Sequence, residues 1–279
     1  MSLKSISIAD EASEHDRLFH AAFAAAKTAR ARHVKVRPHR AITALAVTPY
    51  LLLQTILLPL VLCGLLLLGK PLLLDWWRAC ILFWSSGLDL PFSLSTQLNA
   101  AGSYALRLSP DVESQLMPGR INMLVTTVLS LTGLLLSFFM KKAMFPLKYP
   151  LRILSVLQLI ALAYFWWTPS TFPYSVARHS EELMTIGYVV MLATPIMLAM
   201  GYYILNQGLA GKIFHTLLIL GFFAIMVPHQ VLAQAFLMQH FSVLFMPVLY
   251  ICFGAVFDAL IFVALYSWVV SKAPANATM

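Results

Sequence analysis

Along the chain, hydrophobic residues fall into long, nearly unbroken runs, not the one-faced or alternating patterns of a soluble domain. Six runs approach or exceed the roughly 20 residues that cross a bilayer: about 42–68, 121–140, 151–168, 184–205, 213–235 and 243–270. Backbone in hydrocarbon must satisfy its own hydrogen bonds, so each run predicts a helix. The expected fold is all-α, a polytopic membrane bundle of about six transmembrane helices. Residues 71–92 are different. Their apolar stretch is rich in tryptophan but broken by Asp75, Arg78, Asp89 and Pro91. Tryptophan favours the headgroup level, so this segment predicts an interfacial helix or half-inserted hairpin and not a seventh span.

Composition agrees with the pattern. Of 279 residues, 60% are hydrophobic and 11% charged, with a mean hydropathy of +0.81. A soluble domain carries roughly 45–50% apolar and about a quarter charged residues. These values exclude a soluble enzyme, a disordered chain, a coiled coil and a disulfide-built scaffold.

The net charge of +8 is sorted along the chain. Lys27, Arg30, Arg32, Lys35, Arg37 and Arg40 form one cluster without an acid; Lys141, Lys142, Lys148 and Arg152 form another between two apolar runs. Both are juxtamembrane, which predicts contact with anionic lipid headgroups and not nucleic acid. With the N-terminus inside, fourteen basic residues are cytoplasmic and five (Lys70, Arg78, Arg107, Arg120 and Arg178) are outside. The positive-inside rule therefore predicts both termini in the cytoplasm and a cell inner membrane, in a bacterial context. The first apolar run starts past residue 40 behind a basic arm, so no signal peptide is expected. The organisation expected is a cytoplasmic basic amphipathic arm (1–40) followed by a transmembrane bundle (41–279). The bundle includes an extracytoplasmic loop (70–120), expected to be irregular with short helices. In the arm, Ser13 can cap a helix on which Phe19, Phe23 and Ala26 share a face.

Candidate chemistry is sparse. Asp258 lies near the middle of the sixth run, where an ionisable group costs roughly 2.5–3.5 kcal/mol on insertion scales and should face the bundle interior. Helical spacing puts Tyr250, Gly254 and Asp258 on one face. The site is then either a proton or cation site, or a carboxyl that pins a neighbouring helix by hydrogen bonding. Arg178, His179, His229 and His240 fall near the outer face and form a second candidate cluster, with Glu181 and Glu182 on the same side. His215 and His229 are about 21 Å apart on one helix and cannot share a metal. Cys63, Cys80 and Cys252 have no metal or redox spacing. No cofactor or metal is expected. Thr126, Ser130, Gly133 and Ser137 make a small-residue stripe suited to tight helix packing.

Three functions follow as expectations. The first is an accessory or scaffold subunit of a larger envelope-associated membrane complex, without intrinsic catalysis, whose partners are other membrane proteins. The second is a small proton- or ion-coupled transporter using Asp258. The third is a membrane enzyme with an outward-facing site. Membrane transpeptidases of the exosortase type use Cys, Arg and His at the outer face; Cys80, Arg178 and His229 occur here in that order, without that family's local motifs. Deletion of residues 1–26 tests the arm. Unchanged assembly and activity would make it a solvated segment, and loss of either would make it a docking helix.

Overall fold

The computed structural model describes residues 17, 20, 21, 49–88, 90–98, 104–111, 116–141, 145–168, 174–202 and 208–272. The chain divides into two units, Met1–Ala46 with Ala275–Met279, and Val47–Pro274. Of the first, Arg17, His20 and Ala21 are described, helical and exposed; the basic residues Lys27 to Arg40 lie outside the described residues.

The second unit runs α1 (Pro49–Leu68), α2 (Lys70–Gly87), β1 (Phe92–Leu98), β2 (Tyr104–Pro110), α3 (Arg120–Phe139), α4 (Phe145–Trp167), α5 (Val176–Met200) and α6 (Leu209–Phe241). A 3-10 turn (Val243–Phe245), α7 (Met246–Phe253) and α8 (Ala255–Lys272) complete it. Six segments are long and apolar enough to cross a membrane: α1, α3, α4, α5, α6, and the sixth formed jointly by the turn, α7 and α8. This is a multi-pass helical membrane protein, as the runs of apolar sequence imply.

Three departures from expectation matter. First, α5 starts at Val176, well before its apolar run. Ser175 caps it, its side chain accepting from the Arg178 amide at 3.2 Å. The cap draws Arg178, His179, Glu181 and Glu182 into the helix. Second, residues 70–120 are more regular than an irregular loop. They hold the 18-residue α2 and an antiparallel hairpin pairing Leu94 with Leu108 and Thr96 with Leu106. Third, the sixth span is not continuous. It breaks at Gly254, where a Cβ would collide with the Tyr250 carbonyl oxygen, so only glycine fits there.

The helices pack around α5, which touches α1, α6, α8 and β2. Leu183, Met184, Met191, Phe223 and Val227 fill its contacts with α6, and Trp77, Ile81, Leu106 and Leu108 extend this core to α2 and the hairpin. The hairpin is tied to α5 by one hydroxyl: Ser180 Oγ accepts from the Leu108 amide (2.9 Å), and its single proton is shared between the Ala177 (2.8 Å) and Leu108 (3.2 Å) carbonyls. A second cluster joins α3, α4, the turn and α7 through Met123, Leu162, Phe165, Leu244 and Met246. The small-residue stripe of α3 faces α4. Thr126, Ser130 and Ser137 are buried, and a Cβ on Gly133 would lie 2.9 Å from Ser155 Oγ.

The α5–α6 seam is equally tight. A Cβ added at Gly187 would meet Val227 Cγ2 at 2.5 Å, and a β-branched side chain has little freedom to give way. Overpacking costs about 1–3 kcal/mol, whereas the helix propensity gained from Gly to Ala is about 1 kcal/mol. Gly187→Ala should therefore lower thermal stability in detergent in the native sequence, yet raise it in a Val227→Ala background. Equal shifts in both backgrounds would contradict this packing.

Candidate functional site

Buried hydrophilic side chains gather at the two ends of α6. Near its start, the Lys212 ammonium is buried, donates to Gln54 Oε1 of α1 (2.8 Å) and lies 5.2 Å from the Tyr202 ring. Tyr202 Oη is 3.2 Å from Thr216 Oγ1, which itself donates to the Lys212 carbonyl.

Near the other end of α6 a longer polar array runs inward from the surface. The exposed Arg178 guanidinium pairs with Glu182 at 2.9 Å, one helical turn on. Glu182 Oε2 also accepts from the Tyr174 and Tyr250 hydroxyls, the latter at 3.1 Å. Burial first, and then the Glu182 carboxylate, push the Tyr174 phenol above the ordinary tyrosine range. The His179 ring packs against both tyrosines, 6.3 Å from Tyr174 and 5.7 Å from Tyr250 between centroids.

His179 is only 1% exposed, and its Nε2 is 2.8 Å from Gln234 Oε1. The Gln234 amide donates to the Phe253 carbonyl (2.7 Å), so its oxygen is the acceptor and His179 Nε2 carries the proton. His179 Nδ1 is then a buried lone pair with no hydrogen-bond partner among the described residues. Gln230, one turn before Gln234, donates to the same Phe253 carbonyl. That carbonyl is freed by the break at Gly254, and the two glutamines satisfy it.

Asp258 sits immediately beyond, in the first turn of α8. It is 1% exposed, and neither carboxylate oxygen makes a hydrogen bond among the described residues. The Gln230 amide, one of whose N–H groups donates to Phe253, is its polar neighbour.

The residues singled out in the sequence are therefore regrouped. Tyr250 and Asp258 do not lie on one continuous helix, because one helix ends at Phe253 and the next begins at Ala255. Tyr250 turns to Glu182 and His179, and Asp258 lies across the break. Of the outer cluster, Arg178 and His179 belong to the array; His229 and His240 do not. At about 100° per residue, His229 points about 140° away from Gln234. It faces α2, where its Nε2 accepts from Trp84 Nε1 (3.0 Å) and its Nδ1 donates to the Ile225 carbonyl (2.6 Å). His240 donates to its own helix at the Phe236 carbonyl (2.9 Å) and stacks on that ring.

Cys80 makes no hydrogen bond to His229, and Arg178 is engaged by Glu182, so a Cys–Arg–His set is not assembled. Among the described residues, no group of three His, Cys, Asp or Glu side chains is placed to hold a metal. Tyr174 and the buried Lys212–Gln54 pair went unnoticed in the sequence reading. A glutamine inside the first apolar run was the available signal for the pair.

No protein-family model, curated protein or solved structure matches the chain.

Gln234 joins α5, α6 and the helix break. Gln234→Leu leaves His179 Nε2–H without its acceptor and removes one of two donors from Phe253. An unsatisfied buried group costs about 1–3 kcal/mol. The variant should unfold correspondingly earlier in a denaturant titration in detergent, and an unchanged midpoint would rule out this linking role.

Proposed function

We propose that the chain is a small cation-coupled membrane carrier, in which Asp258 binds and releases a proton or a monovalent cation at the break in the sixth span. One observation carries this reading: an interrupted helix at mid-span beside a buried carboxyl that has no cationic partner among the described residues. Irregular backbone at membrane depth is tolerated where it is buried in protein or lines a cavity, and carriers use such breaks to coordinate ions. A buried ionised carboxylate without a partner costs far more than a bundle can absorb, so the group calls for a proton or a cation. The freed carbonyl end of α7 adds negative partial charge on the same side.

The array from Arg178 and Glu182 through Tyr250 and His179 supplies a route from the surface. Glu182 is part-exposed and can exchange protons with water. The lone pair on His179 Nδ1 can accept a proton delivered past the two tyrosines. The sorting of basic residues supports an inner-membrane orientation with this end of the bundle outside.

A second reading, a subunit that docks partners, is favoured by the edge of β1 remote from β2. It pairs with no other strand among the described residues, and an open edge is a template for a partner's strand. Co-purification of partners after mild detergent extraction, lost when Thr96, whose N–H faces that edge, is replaced by proline, would support docking.

Purified full-length chain in proteoliposomes tests the carrier. Wild type should pass protons under an imposed potential, read by an entrapped pH dye, or take up sodium, read with a tracer. Asp258→Asn should lower that flux at least about tenfold while keeping the wild-type unfolding midpoint. Flux equal to empty liposomes, or equal flux in the variant, would overturn the reading.

A further inference from the structure

We infer that the groove between α2 and the β-hairpin is a binding site for a phosphoethanolamine-type zwitterion, the headgroup of a phospholipid. It encloses about 360 Å³ and is lined by Leu67, Lys70, Pro71, Leu74, Asp75, Arg78, Thr96, Tyr104 and Leu106. Ligand pockets begin at about 300 Å³, so this space suits a headgroup and not a large ligand.

Its two walls are set by local geometry. Lys70, Leu74 and Arg78 follow one another at four-residue spacing and share one face of α2, with Asp75 beside them. The facing wall is one side of the hairpin: Thr96 pairs directly with Leu106, and Tyr104 lies two residues along on the same side. The Lys70 ammonium is steered by the Tyr188 ring, 5.0 Å away.

The chemistry of the lining selects the ligand. Arg78 offers a phosphate its forked donors and Asp75 offers an ammonium an acceptor, and Lys70 adds positive charge to the lining. Asp75 and Arg78 form no ion pair among the described residues, so neither neutralises the other. The Tyr104 ring and the leucines supply an apolar flank. Leu67 of the lining is exposed, as are Leu68 and Leu72 close by in sequence. A soluble anion has no use for such apolar surface, but the glycerol and acyl portion of a lipid does. Trp76 and Trp84, both exposed on α2, are the residue type that settles at headgroup depth.

The same headgroup chemistry could arrive free in solution, and the experiment separates the two sources. Native mass spectrometry of the full chain, released from micelles doped with phosphatidylethanolamine, phosphatidylglycerol or soluble glycerophosphoethanolamine, counts bound molecules. Phosphatidylethanolamine should be retained over phosphatidylglycerol, and the soluble headgroup should be retained weakly. Arg78→Gln removes a charged hydrogen-bond donor and should lower retention of both lipids about tenfold. Asp75→Asn should remove only the preference between them. Both side chains are exposed, so neither change threatens folding. Soluble headgroup bound as tightly as the lipid would reassign the site to a free metabolite. Equal retention of the two lipids, or retention unaffected by Arg78→Gln, would overturn the proposal.

Discussion

Every backbone amide and carbonyl inside a hydrocarbon layer has to find its partner within the chain, and that requirement organises this protein. Where helices are continuous it is met locally. At Gly254 it is not, and the structure meets it with side chains from a different helix. Gln230 and Gln234 both reach the Phe253 carbonyl, which fixes α6 against the sixth span. Gln234 is in turn fixed by His179, and Tyr250 by Glu182, so α5 is bound to the same junction. The break is therefore the place where three helices are bonded to one another by polar contacts.

This arrangement explains why the polar residues near Arg178 are buried and ordered. Ser175 starts α5 early, and the added turn carries His179 and Glu182 into reach of Gln234 and Tyr250. A cap outside the apolar run thus decides the chemistry inside it. Cys80, Arg178 and His229 stay apart for a related reason: the rotation of α6 that aims Gln230 and Gln234 at the break turns His229 towards Trp84.

The spans were legible in the sequence because twenty consecutive apolar residues have few alternatives to a membrane helix. The hairpin was equally legible and was overlooked. Phe92, Leu94, Thr96 and Leu98 alternate with serines and glutamine, and Tyr104, Leu106 and Leu108 alternate on the partner strand. That period of two was masked by the prolines and glycines around it. The break at Gly254 could not be read, since a single glycine in an apolar run more often marks close helix contact. Asp258 was visible as the one acid at mid-span, but its lack of a cationic partner depends on how the helices pack. Of the polar array, Arg178, His179 and Glu182 were legible as a polar stretch before an apolar run, but their meeting with Tyr250 and Gln234 was not, because it depends on packing between distant segments.

The bond between Gln54 and Lys212 has a consequence in time as well as in space. Its two ends are separated by 158 residues of chain. At a synthesis rate of about 5–20 residues per second, α1 exists for roughly 8 to 30 s before the start of α6 is made. During that interval the Gln54 amide must be served by water, by lipid headgroups or by the insertion machinery. By contrast, α3 and α4 are neighbours in sequence and pack on each other as soon as both are made. The contact of α1 with α5 can form before α6 is made, but the polar bond through Gln54 has to wait for Lys212.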